Sequence, residues 1–214
     1  MSDDSSSSAV RPEDLVRLLA AAADLAPAGL GDFTEMAAAS SDEDPPPMTG
    51  PTPELTAVLN RAFGDKAARE VRTSFVNADA SVVVDVGVSE RVAGAAVSWM
   101  ADMRRVYTEC TGWTMSFGDQ EFAVRLVAPE ADPCEPLSVE QRFGDEALMR
   151  TMLAGDAPQA RITTLLVRDG DRALELTFRS LVTETGDPTE ALLGTAVQRF
   201  LALAPAKFLG SPTS

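Results

Sequence analysis

Cys110 and Cys134 are the two residues of this chain with the most distinctive side-chain chemistry. Bridged, they would close a loop whose chain-entropy stabilisation is about 3 kcal/mol. Reduced, they would be two independent thiols, one at the end of a helical pattern and one in a proline-rich connection. The residue types alone leave both readings open. The chain has no histidine. That removes the usual general base near neutral pH, the Ser-His-Asp and Cys-His nucleophile pairs, and every histidine-containing metal site. Carboxylate and lysine chemistry remain.

The other candidate constellations reduce to structure. Asp169-Gly170-Asp171 could suggest a metal ligand set, but hairpin turn chemistry accounts for it. Residues 40–51, Ser-Ser-Asp-Glu-Asp-Pro-Pro-Pro-Met-Thr-Gly-Pro, could be a calcium site or a partner tether. A calcium loop needs a fixed ligand spacing that this stretch lacks, so a solvated acidic loop is expected. Phe-Gly-Asp occurs at residues 63–65, 117–119 and 143–145 in unrelated surroundings, as three turns rather than a repeat. Trp99 and Trp113 could line a ligand pocket, yet both fall on core-facing stripes. No Walker loop, G-x-G-x-x-G, C-x-x-C or G-x-S-x-G pattern occurs. No catalytic, cofactor-binding or metal-ligating residue is therefore assigned, and no cofactor is expected.

The elements that position these residues are legible from spacing. Residues 1–11 are rich in Ser and Asp and read as a disordered tail. A helix is expected from Pro12, with Leu15, Leu18, Leu19 and Ala22 on one face, and a short strand over residues 30–38. Thr52 and Pro53 open a second helix as N-cap and first residue, with Leu55, Val58, Leu59, Ala62 and Phe63 as its apolar stripe. Residues 69–77 and 80–88 read as strands, and residues 89–109 as a third helix with Val92, Trp99, Met103 and Val106 on its stripe. Residues 113–117 and 121–127 alternate apolar and polar about Gly118-Asp119, as a hairpin does. Residues 129–138 read as an irregular connection, and residues 146–153 fit strand or helix equally. A second hairpin spans 160–168 and 172–182. Asp187 and Pro188 open a last helix that ends before Pro205, and residues 206–214 form a tail. Helices alternating with hairpins imply an α+β fold in one domain over residues 12–205, with a mainly antiparallel sheet and helices on one face.

Composition sets the outer limits. The chain has 214 residues, 45% of them hydrophobic, enough for one substantial core. Its net charge of −15 disfavours nucleic acid and anionic membrane surfaces, which reward a basic face. No window is long and apolar enough for a membrane span, and Met1 to Ser8 lack the basic and apolar regions of a signal peptide.

The order of these elements resembles the PknH-like extracellular sensor domains of actinobacterial receptor kinases and surface lipoproteins. The resembling residues are Leu18 to Gly29, the long helix ending in Cys110 before an aromatic strand, Gly144-Asp145-Glu146-Ala147, and the Leu166-Val-Arg-Asp-Gly-Asp171 hairpin. The family often carries a further cysteine early in the domain, and residues 52–64 have none here. The resemblance implies a mixed α/β domain with a bent sheet and a cleft, an extracytoplasmic setting, no catalysis, and a Cys110–Cys134 disulfide. It carries over no ligand-binding residue. The expectation that follows is an extracytoplasmic ligand- or partner-binding domain, the mature part of a surface lipoprotein, with Met1 standing where a lipid-bearing cysteine stands in the precursor. Membrane contact would then come only through that lipid anchor, and the partner would be a small ligand or a protein. The alternatives are a cytosolic protein-interaction domain with two free thiols and, third, a carboxylate-dependent hydrolase. A cleft beside the sheet is expected, walled mainly by apolar side chains of residues 113–117, 121–127 and 172–180. The acidic surface favours a neutral or cationic ligand.

Overall fold

The computed structural model describes residues 33–36, 44–128, 144–155 and 159–182. Among them run β1 (Phe33–Met36), β2 (Met48–Thr49), α1 (Pro53–Gly64), β3 (Arg69–Asn77), β4 (Val82–Glu90), α2 (Ala95–Glu109), β5 (Gly112–Phe117), β6 (Gln120–Leu126), β7 (Glu146–Ala154), β8 (Gln159–Asp169) and β9 (Arg172–Val182). The strands form one nine-stranded sheet in the order β1-β3-β4-β9-β8-β7-β6-β5-β2. Every pairing is antiparallel. The two helices lie on one face of it, the α+β arrangement that the element order predicts. The expected first helix from Pro12, the expected last helix from Pro188 to before Pro205, both tails and the connection 129–138 lie outside the described residues.

Local chemistry accounts for most of these elements. Thr52 has extended backbone angles, its hydroxyl accepts from the Leu55 amide at 3.2 Å, and Pro53 follows where no amide is needed. The Asn77 carboxamide accepts from the Val82 amide at 2.9 Å and closes the turn between β3 and β4. The β8–β9 hairpin turns through Gly170 at φ +61°, in the left-handed region that glycine enters without steric cost. Asp145 steadies that turn from β7's side, accepting from the Gly170 amide and from Arg168, each at 2.9 Å. Those bonds, the Gly170 amide foremost, hold its carboxyl below the usual range.

Two boundaries differ from the sequence reading. The third helix starts at Ala95 rather than Ser89, because Ser89 and Glu90 continue the ladder opposite Ala173 and Arg172. The chain then bends through Gly94, whose amide donates to Asp171 at 2.8 Å, and Val92 is left exposed rather than on the stripe. Residues 146–154 are strand: β7 pairs with β8 along its whole length. A helix there would leave the inner edge of β8 without partners.

The core under the helices joins Leu55, Val58, Leu59 and Ala62 of α1 and Trp99, Met100, Met103, Val106 and Tyr107 of α2 to Trp113, Val124, Leu148, Met152 and Leu166 of the sheet. The Trp99 indole N–H donates to the Ala62 carbonyl at 3.1 Å, and Arg61 grips Asp102 through two nitrogens at 2.5 and 2.7 Å. These contacts lock the helix pair as a unit. A second set of buried side chains, Phe75, Val84, Val86, Leu174, Leu176 and Phe178, occupies the opposite face.

The expected Cys110–Cys134 bridge is corrected by the structure: Cys110 is a free thiol. It follows the last turn of α2, its amide bound to the Val106 carbonyl at 3.2 Å. The side chain is 4% exposed and belongs to the core between helix and sheet. A bridge requires a second cysteine with its Cα within about 7 Å and a side chain facing this one. Cys110 points into packed apolar neighbours instead. Cys134 lies outside the described residues.

Candidate functional site

Antiparallel register sets which residues share the helix-side face. Arg72, Gly87, Glu175, Leu166 and Leu148 form one row across β3, β4, β9, β8 and β7. The next row towards the β8–β9 turn is Glu70, Ser89, Ala173, Arg168 and Glu146. The helix core covers the apolar part of these rows, over β7 and β8. The polar part, over β3, β4 and β9, lies at the edge of the helix pair.

A cavity of about 560 Å³ opens there. Its floor is Gly87, Ser89, Ala173, Glu175, Thr164 and Leu166, and α2 supplies Trp99, Met103 and Tyr107 as one wall. Phe63 and Gly64 of α1 and the α1–β3 connection, residues 65–68, complete the lining on that side. The volume lies within the range of small-molecule sites, about 300–1,000 Å³.

The charged side chains are arranged in pairs. Arg72 crosses Gly87 to reach Glu175 at 3.1 Å and also binds Glu70. Arg91, on the chain between β4 and α2, lies over the Trp99 ring with its guanidinium carbon 4.2 Å from the centroid. It binds the Asp65 carboxylate and, at 3.3 Å, the Asp65 carbonyl. Burial pushes the Arg91 guanidinium below its ordinary value, against the opposing pull of Asp65, Glu70 and Glu175. Tyr107 is buried, and its phenol hydrogen-bonds Thr164, which in turn meets Thr177 at 3.2 Å. Burial, and then the Glu175 charge, push that phenol above its ordinary value.

A cavity of sufficient size is present, but its walls are not mainly apolar and not drawn from the expected strands. Of residues 113–117, 121–127 and 172–180, only Ala173 and Glu175 line it. The alternation on β9 is real, yet Leu174, Leu176 and Phe178 face away from α1 and α2, so Glu175 faces the cavity. The lining carries Lys66, Arg69, Arg72 and Arg91 against Asp65, Glu70 and Glu175. Local charge is thus near balance and does not follow the acidic total. Trp99 serves both core and cavity, whereas Trp113 packs in the core against Phe63, ring centroids 5.8 Å apart. Arg72, Arg91 and Tyr107 had no motif to announce them. Gly87, inside the β-branched run Val82–Val88, is the one sequence signal available, since glycine in a strand marks a close approach.

Among the described residues no group of three or more His, Cys, Asp or Glu is placed to hold a metal ion. Asp169-Gly170-Asp171 is engaged as a turn: Asp169 pairs with Arg172, and Asp171 accepts from Gly94. Residues 44–50 of the acidic loop pack onto α1 and β5, with Met48 bonded at both backbone groups by Asn60, at 3.0 and 2.6 Å. Among the described residues no helix is long and apolar enough to cross a membrane.

No family model matches the sequence, and no curated protein matches it. In structure the chain is similar to the extracellular domain of PknH from Mycobacterium tuberculosis, at a TM-score of 0.60 with 8% sequence identity. That likeness covers 91% of this chain and 96% of the other. A protein from Mycobacterium smegmatis aligns over 85% of this chain and 97% of its own at 13% identity, but its TM-score of 0.37 carries no argument. At 8% identity the likeness to PknH is one of fold.

Proposed function

We propose that this chain is an extracytoplasmic, sensor-like binding domain whose site is the cavity bounded by Gly87, Ser89, Trp99, Tyr107, Ala173 and Glu175. The observation that carries the reading is that cavity: a concavity of ligand size where the helix pair stops short of the sheet edge, with polar groups converging beside an aromatic and apolar wall. The compartment rests on fold likeness to a domain described as extracellular. The lipid anchor rests on the sequence resemblance. Binding rather than turnover fits a cavity whose carboxylates, Asp65, Glu70 and Glu175, are each held by an arginine.

Amide and methyl NMR titration with octanol as a neutral amphipathic probe tests the site. Shifts should concentrate at Ser89, Trp99, Met103, Tyr107 and Glu175, and Ser89→Leu, which fills the floor, should abolish them. Scattered shifts, or shifts unchanged by Ser89→Leu in a folded protein, overturn the reading. A lipidated N-terminal peptide in the membrane fraction of the native host tests the anchor; its absence there removes that part alone.

A further inference from the structure

Arg91 is the group in this cavity wall whose binding capacity folding leaves incompletely used. Its side chain is only 8% exposed, while its carboxylate partner Asp65 stands nearer solvent at 38%. One terminal nitrogen, Nη1, serves both a carboxylate oxygen and the backbone carbonyl of Asp65. Nε is buried and has no hydrogen-bond partner among the described residues. A guanidinium offers five N–H donors, and a buried donor without an acceptor costs about 1–3 kcal/mol. Arg72, across the floor, differs: Nε is bound to Glu70 and Nη2 to Glu175. Open donor capacity therefore lies beside Trp99, in a cavity whose lining also includes Met103, Met152 and Leu166.

We propose that the cavity takes a small amphipathic monocarboxylate, its carboxylate held by Arg91 and its apolar body laid along Met103, Met152 and Leu166. This rests on the cavity being a binding site. A carboxylate matches a planar guanidinium in geometry, and its charge-assisted bonds are about twice as strong as neutral ones. An ammonium would find Asp65, Glu70 and Glu175 each already held by an arginine and would have to displace it to bind. The acidic total works against anions in bulk, but at physiological salt it is screened beyond about 8 Å, so the contact charges decide.

Calorimetric titration of the full chain with octanoate, octanol and octylamine, three headgroups on one apolar body, tests the proposal. Octanoate should bind about tenfold or more tighter than octanol, and octylamine weakest. Arg91→Met keeps an unbranched apolar stem over Trp99; it should erase the octanoate advantage and leave octanol within about twofold. Arg91→Lys, which keeps the charge but loses the planar fork, should retain part of the advantage and serves if the methionine variant does not fold. Equal binding of octanoate and octanol to the wild type overturns the proposal, as does an octanoate preference undiminished in a folded Arg91→Met protein, or no binding of octanoate. If Ser89→Leu abolishes octanol binding while octanoate shows no preference, the cavity reading stands and the carboxylate proposal falls. If Ser89→Leu leaves all three affinities unchanged, the cavity reading falls with it.

Discussion

Arg72 lies flat across Gly87, its cross-strand partner, so that a Cβ placed on Gly87 would stand 3.4 Å from the arginine Cγ. Arg72 and Glu175 are two strands apart, about 9–10 Å, and the bridge between them must pass over whatever occupies the strand between. Glycine leaves that path clear. Gly87→Ala should therefore be neutral or stabilising by about 0.5–1 kcal/mol, from reduced unfolded-chain entropy. Gly87→Val, despite valine's strand preference, should lift Arg72 off the sheet and cost about 1 kcal/mol. Urea unfolding checks both, and in an Arg72→Ala background the valine penalty should disappear.

Tyr107 is the single tyrosine of the chain, so its ionisation can be followed without ambiguity. Its folded value is raised above the ordinary value of about 10 by burial and by Glu175. The stabilisation that follows is complete below pH 10 and is lost as pH rises from the unfolded value towards the folded one. Tyrosinate absorbance should stay flat in the native protein where a free tyrosine titrates, then appear together with unfolding. A native titration at the ordinary value would contradict the buried phenol. Glu175→Gln should bring the native ionisation to lower pH.

Asn60 of α1 completes the edge of β2: its oxygen accepts from the Met48 amide at 3.0 Å and its amide donates to the Met48 carbonyl at 2.6 Å. The carboxamide acts as a short extra strand. Asn60→Asp keeps the shape but replaces the donor with an acceptor facing the Met48 carbonyl. A loss of about 1–3 kcal/mol is expected by thermal or urea unfolding, with amide exchange rising at Met48 before the β3–β4–β9 strands open. An unchanged stability would mean that residues 44–50 dock without this pair.

Cys110 should behave as an inert core thiol. Burial, then the neighbouring Glu109, push its ionisation upward, and only the thiolate is nucleophilic. In a Cys134→Ser protein, which isolates this thiol, alkylation should be slow under native conditions and become fast on unfolding in urea. Fast native alkylation would place the side chain outside the core.

Several features were determined by the sequence alone because short-range chemistry decides them. Thr52 and Pro53 start α1 whatever lies around them, since cap and proline act on their own backbone neighbours. The strands at 112–117 and 120–126, and at 159–169 and 172–182, follow from alternation and from turns at Gly118 and Gly170. The α+β class follows from the order of these elements. Tertiary structure decided the rest. Alternation places Glu175 and Leu176 on opposite faces, but a period of two says nothing about which face two helices will choose; register across β4 and β8 turned Glu175 to the cavity. Helix periodicity runs through Ser89 and Glu90, yet ladder bonds to Ala173 and Arg172 kept them in a strand. Cys110 has a helix-end position that suits a bridge, and packing turned it inward. The net charge of −15 belongs to the whole surface, whereas the cavity's balance of arginines and carboxylates exists only once the α1–β3 connection, the β4–α2 connection and β9 meet. Charge acts at contact distance there, and distances between residues far apart in the chain are set by folding.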